Sequence, residues 1–281
     1  RIDNLVNHDS IDHPDDDKRE WAIRDKILIE DRLLLYKDSL LVGAMYYSQG
    51  RDENNRTAFF TLNIDPKYNT EESRKLLYNR MLKEIKSFNC NKIFTHIYDH
   101  PNYYLLKEFL IFNQFKLVQT NREYSCDITK INIEKYKPLI KKLNAEGVEF
   151  YDSKENMIDW PNHYKKLEEL EWACSKDIPI PDGVKHTRLP FDQFMKYVNN
   201  FYENCYGAHI VAVQNGKYIG STDLEVFPKT EGHKAWTGSL GVLKHFRRKG
   251  IATVLKIKAI QQLLNKGVSN VRTDNEENNP M

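Results

Sequence analysis

Landmarks in the first half of this 281-residue chain recur in the second half at nearly one spacing. Gly43 and Gly220, each inside an apolar run, lie 177 residues apart. Leu76 and Leu255, each in a long amphipathic stretch, lie 179 apart, as do Pro101 and Pro280, each just after a short apolar run. Three unlike landmarks sharing a spacing indicate a duplicated unit, so one half must be able to adopt the fold of the other. The length allows two domains of ordinary size.

The elements between the landmarks follow the same order in both halves. Apolar runs at 32–36 and 40–47 flank the polar turn Lys37-Asp38-Ser39, and runs at 209–213 and 217–226 flank Gln214-Asn215-Gly216. Both read as hairpins. Strands are expected at 57–65 and 236–243. Helices follow, 72–87 with Leu76, Leu77, Met81, Leu82 and Ile85 on one face, and 251–266 with Ile251, Val254, Leu255, Ala259 and Leu263 on one face. Gly267 is placed to cap the second. Strands are expected again at 92–98 and 270–273. The first half then adds a helix over 102–112 and closing strands within 116–128, and the stretch before it carries a helix over 17–29. A basic helix over 133–144 leads to a strand at 148–151 and to helices over 162–174 and 191–202. Residues 102–128 have no counterpart after Met281, and the counterpart of 148–151 would precede Arg1, so each half is expected to lack elements at one end.

The stretch 240–253, Leu-Gly-Val-Leu-Lys-His-Phe-Arg-Arg-Lys-Gly-Ile-Ala-Thr, joins a strand to a helix through a basic turn with one glycine. Amides converge at a helix N-terminus, and the helix dipole favours negative charge there. From Gly232 to Thr273 there is no Asp or Glu, while nine Lys or Arg occur. In a chain with 42 basic and 40 acidic residues, that gap points to an anionic partner for this region. The basic residues centre on one turn and no nucleic-acid signature accompanies them, so nucleic acid is not expected.

Arg247-Arg248-Lys249-Gly250-Ile251-Ala252, with the strand before it and the helix after it, resembles the Arg/Gln-x-x-Gly-x-Gly/Ala turn of the GNAT (Gcn5-related N-acetyltransferase) family. The two-repeat arrangement is similar to tandem GNAT proteins of the mycothiol-synthase-like type, over most of the chain. The fold class implied is α/β (α+β), two tandem GNAT-like domains, each a mixed, mostly antiparallel twisted sheet flanked by helices. The domains would be 1–129, degenerate, and 130–281, with the intact turn. The resemblance implies acetyl-CoA as co-substrate. Its pyrophosphate would rest on the turn formed by Arg247, Arg248, Lys249, Gly250, Ile251, Ala252 and Thr253. Its pantetheine arm would lie along Leu240 and Val242, with Asn278 a further contact. Aligned on Leu76, the first half has Glu71 in place of Gly250 and Ser73 in place of Ala252. Two carboxylates at that helix start would repel a pyrophosphate.

The implied activity is direct acetyl transfer to a primary amine of a small molecule, in a monomer or homodimer. A catalytically silent acyl-CoA-binding or regulatory module, and an aminoacyl-tRNA-dependent transferase, are the alternatives. An ammonium acceptor needs a base. Asp223 and Glu225 share a strand face by period two and could face the acceptor or simply solvent. The nine histidines lack metal-ligand spacing, so no metal is expected. Widely spaced cysteines, no apolar run of membrane length and an acidic start lead to the expectation of a cytoplasmic protein without membrane association.

Overall fold

The computed structural model describes residues 2–6, 13–51, 56–88, 90–182, 184–277 and 279. The chain divides into two compact units, Arg1–Val118 with Ile180–Thr187, and Gln119–Pro179 with Arg188–Met281.

In the first unit α1 (Ile2–Val6) and α2 (Pro14–Ile23) precede a four-stranded sheet of order β1-β2-β3-β4. α2 ends six residues before the sequence pattern suggested. β1 (Glu30–Lys37) and β2 (Leu40–Gln49) form the expected hairpin. Asp38 at φ 48° and Ser39 at φ 67° give its two-residue loop the left-handed backbone that matches strand twist. β3 (Thr57–Ile64) runs antiparallel to β2, and β4 (Lys92–Thr95) runs parallel to β3. The parallel pair needs a crossover, which α3 (Glu71–Ile85) supplies. α3 lays Leu77, Tyr78, Met81 and Ile85 into a core with Met45, Phe60 and Leu62. Leu76, assigned to that face by spacing, is 59% exposed, so the repeat holds in element order but not at this landmark. α4 (Tyr104–Phe112) follows β4.

The second unit holds a six-stranded sheet, which its first strand enters at one edge. β5 (Asn121–Asp127) was expected to close the first domain. It instead pairs antiparallel with β10, the last strand of this unit, from Asn121↔Glu276 to Asp127↔Asn270. Every β5 residue is exposed, so no buried face fixed its partner in the sequence pattern. Next come α5 (Lys137–Ala145), β6 (Val148–Asp152), α6 (Ser153–Asn156), α7 (His163–Ser175) and α8 (Phe191–Asn204). The hairpin of β7 (Ala208–Gln214) and β8 (Lys217–Glu225) turns on Asn215 at φ 51° and Gly216 at φ 73°. After α9 (Pro228–Glu231) come β9 (Lys234–Val242), α10 (Ile251–Asn265) and β10 (Asn270–Glu276), giving the order β5-β10-β9-β8-β7-β6.

Both faces of this sheet are covered, which is why β7 is apolar without alternation from Ile210 to Val213. Ile210 and Ala212 meet Ile251, Val254, Leu255 and Leu263 of α10. Val211 and Val213 meet Leu167 and Leu170 of α7 and Phe194 and Val198 of α8. Burying such side chains contributes about 1.5–3 kcal/mol each, and their number fixes α7 and α10 against opposite faces of β8 and β9.

Candidate functional site

β9 ends at Val242, and Leu243 donates its amide to Ile219 O at 2.9 Å, the last rung shared with β8. A single 3-10 turn, Lys244–Phe246, follows. The backbone then passes through left-handed Arg248 (φ 63°) and Gly250 (φ 89°) into α10. Gly250 is the N-cap, no side chain caps the helix, and its first turn holds no acid. The amides of Ile251, Ala252 and Thr253 therefore point out of the helix start without an intrahelical acceptor.

The four cations of the turn divide into two pairs. Arg247 donates Nε to Val242 O at 2.8 Å and reaches Asp177 at 2.5 Å, and Lys244 meets Asp177 at 2.9 Å. Both cations hold the Asp177 carboxyl below its usual range. Arg247 thus braces the end of β9 against the segment that follows α7. Among the described residues Arg248 and Lys249 meet no carboxylate; Lys249 lies 5.7 Å from the Phe246 ring.

β9 and β10 are parallel neighbours only from Lys234↔Asn270 to Trp236↔Arg272. Beyond that point β9 continues along β8 and β10 along β5, so the two facing edges part. Strand alternation after the Leu243–Ile219 rung turns the peptide groups of Leu240 and Val242 toward this opening. Thr237 stands where the strands part, and its buried Oγ1 has no hydrogen-bond partner. An open strand edge, an orphaned hydroxyl at its root and an uncapped helix start at its end fit a long ligand with an amide-bearing arm and an anionic end.

Beside β9, Ser239 Oγ donates to Asp223 Oδ1. A Cβ on Gly238 would lie 1.9 Å from Asp223 Oδ2 and 3.3 Å from Glu225 Oε1, so both carboxylates lean over a residue of β9 without a side chain. Asp223 and Glu225 are therefore brought together, as their spacing suggested. α7 crosses the same face. Its Cys174 packs so closely on Gly241 that a Cβ there would lie 2.5 Å from Cys174 Cβ, and burial pushes the Cys174 thiol up to about 11. One turn earlier stands Glu171, which sequence reasoning passed over. Burial and the nearby Asp223 and Glu168 carboxylates push its carboxyl up to about 8, although a third of the side chain is exposed. Glu168 itself is held by Arg188, whose Nε donates to Oε1 at 2.6 Å. The signal that could have found Glu171 is positional. Leu167, Leu170, Glu171 and Cys174 occupy one helical stripe, so a carboxylate stands where the pattern calls for an apolar side chain.

The first unit treats its corresponding places differently. Thr70 caps α3, accepting the Ser73 amide at 3.2 Å, and Glu71 pairs with Lys75 at 2.5 Å. Counted from the two helix starts, Thr70 rather than Glu71 takes the place of Gly250. β3 likewise runs past its pairing with β4, which ends at Phe60↔Thr95. α1 packs on β2 and β3 there, with Ile2 and Val6 buried and Asn102 donating to Val6 O at 2.8 Å. The helix start is capped, and α1 lies against β2 and β3.

Asn278 lies outside the described residues. Among the described residues no group of three or more His, Cys, Asp or Glu could hold a metal ion, and no helix is long and apolar enough to cross a membrane.

Residues 164–281 match the model of the Acetyltransferase (GNAT) family. The fold is similar to that of a tandem GNAT protein from the clavulanic acid biosynthesis pathway, at TM-score 0.72 and 14% identity, covering 99% of this chain and 85% of that one. It is also similar to a GCN5-related glucosamine N-acetyltransferase region of a fungal multi-domain GH3 beta-N-acetylglucosaminidase, at TM-score 0.68 and 14% identity, covering 96% of this chain and 33% of that one. A third likeness is to a GCN5-related N-acetyltransferase from Sphaerobacter thermophilus, at TM-score 0.61 and 12% identity, covering 95% and 78%. No curated protein matches the chain.

Proposed function

We propose that the GNAT acetyltransferase domain at residues 164–281, set in a tandem GNAT fold, moves an acetyl group from acetyl-CoA to a primary amine of a small molecule. The observation that carries this reading is the uncapped start of α10 at the end of an open strand edge. The pyrophosphate rests on the amides of Ile251, Ala252 and Thr253 with Arg248 and Lys249 alongside, and Leu240 and Val242 hold the pantetheine arm. The Val242 N–H faces the opening and stabilises the oxyanion that forms on the thioester carbonyl.

The acidic group of Glu171, Asp223 and Glu225 suits a cationic acceptor. Glu171 takes one proton from the incoming ammonium group. The neutral nitrogen attacks the thioester carbon, the C–S bond breaks, and the second proton lost by nitrogen ends on the CoA sulfur. The products are an N-acetylated amine, CoA thiol and a protonated Glu171 that returns its proton to solvent. Cys174 and Cys205, with thiols pushed up to about 11 and about 12 by burial, remain protonated and supply no covalent route.

Free thiol release from acetyl-CoA, measured against a panel of primary amines, tests the reading. Amine-dependent release is expected, and CoA binding without any release would make the chain a silent acyl-CoA-binding module. Arg248→Gly separates binding from folding. It removes a cation from the turn and also relieves a left-handed non-glycine residue, a conformation costing about 1–2 kcal/mol. Affinity for CoA is expected to fall about tenfold. Stability should stay level or rise by about 1 kcal/mol, the relief being partly offset by glycine's chain entropy. Calorimetry and denaturant melts on one preparation check both signs.

A further inference from the structure

A chain of buried polar side chains runs along the face of the second sheet that α7 and α8 cover, from Tyr218 to Glu171. Tyr218 Oη lies 2.9 Å from His163 Nδ1, and His163 Nε2 lies 3.1 Å from Ser153 Oγ. Tyr202 Oη donates to Ser153 Oγ at 2.6 Å and lies 3.3 Å from His209 Nδ1. His209 Nε2, buried and without a hydrogen-bond partner, faces Glu171 Oε1 at 3.8 Å. None of the five residues before Glu171 is more than 7% exposed.

The proton count orients the chain. A phenol carries one proton, and Tyr202 spends it on Ser153 across the shorter of its two contacts. Tyr202 can then only accept from His209, which places the imidazole proton on Nδ1 and leaves Nε2 a bare lone pair. Ser153, having accepted from Tyr202, donates to His163 Nε2, and His163 donates Nδ1–H to Tyr218. Every donor points away from Glu171. We propose that this chain locks His209 as the Nδ1–H tautomer, so that its bare Nε2 receives the O–H of Glu171 after Glu171 has taken the acceptor's proton. His209 is then a positioning residue for the base, and the inference rests on the acetyltransferase reading.

The surrounding charges agree. Glu171 faces Asp223 from β8 and Glu168 from its own helix, with Cys174 and Tyr202 also near. His209 faces Asp223 and Asp152, yet full burial pushes its pKa down, and burial holds His163 at about 4. Neutral imidazoles are what the tautomer lock requires. A lone pair opposite a carboxylate favours the protonated acid, whereas an N–H there would favour the anion.

The test is Ser153→Ala in the full chain. Without the serine, Tyr202 can turn its proton to His209 Nδ1, and the imidazole proton moves to Nε2, where it donates to Glu171. In the native protein, nitrogen-15 NMR is expected to show His209 protonated at Nδ1 only. In the variant it should show Nε2–H, with the carbon-13 titration of Glu171 lowered by about one pH unit. The acidic limb of kcat/KM should move down with it while KM for acetyl-CoA stays level. Tyr202→Phe, which removes the acceptor for Nδ1–H, should move the same signals the same way if Ser153→Ala folds poorly. Native Nε2–H, a doubly protonated ring, or an unmoved or raised Glu171 titration overturns the proposal. The NMR arm does not depend on turnover. The predicted tautomer without acetyl transfer would sink the functional reading, and transfer without the tautomer shift would sink the lock.

Discussion

Replacing Glu171 with glutamine is expected to lower kcat for acetyl transfer by about 10²- to 10⁴-fold while leaving acetyl-CoA affinity nearly unchanged. Glutamine keeps the shape of the protonated acid but cannot take a proton, and Glu171 lies beside the open strand edge rather than at the helix start that holds the anionic end. In the native enzyme the carboxylate is the working form and burial pushes its pKa to about 8. Activity should therefore rise with pH through that region and be lost below it, and the glutamine variant should lose this limb. Stability should move the other way. A carboxyl raised from 4.5 to about 8 on folding holds its proton in the folded chain and releases it in the unfolded one. Its contribution is thus present at low pH and lost as pH climbs through that window. Glutamine titrates in neither state, so its melting temperature should gain on the native protein from about pH 4.5 to about pH 8 and hold level above. That pairing of lost rate with gained stability is what a strained catalytic group produces. A loss of less than tenfold would move the base to Asp223 or Glu225.

The features of the site that the sequence made visible are those that depend on neighbours along the chain. Gly250 between a basic turn and an apolar helix, Asn215-Gly216 between two apolar runs, and Gly267 after α10 (φ 80°) each state a backbone requirement within a few residues. Asp223 and Glu225 follow from strand period alone, and Gly238 opposite confirms their convergence. What escaped depends on distant partners. The ion pair of Arg247 with Asp177, 70 residues away in sequence, cannot be read from the neighbours of either residue. β5 has seven exposed residues and nothing in its pattern to choose between two sheets. Leu76 missed the core by one position because Leu76 and Leu77 fit the same stripe on paper. Glu171 sits among Glu168, Glu169 and several lysines, and only its place on the apolar stripe separates it from solvated neighbours.

Gly250→Glu should abolish measurable CoA binding, a loss of at least about a hundredfold, and its meaning depends on a second variant. At φ 89° any side chain is strained, by about 1–2 kcal/mol. A Cβ would also lie 2.8 Å from Leu139 Cδ1 of α5, the movable end of a partly buried side chain. Glutamate therefore brings two defects, a misplaced helix start and a negative charge where the ligand's anion belongs. Gly250→Ala brings only the first. Both variants should lose about the same stability in denaturant melts, and the alanine variant should retain weakened binding. The further loss from alanine to glutamate then measures the charge itself, and it should shrink as salt is raised because the site opens to solvent. Thr70 shows why the glycine matters: at the start of α3 a hydroxyl already satisfies the Ser73 amide, and no ligand is needed there. Equal binding by the native protein and the glutamate variant would place the pyrophosphate away from α10. Equal loss in alanine and glutamate would make the turn's shape, and not its charge, the basis of recognition.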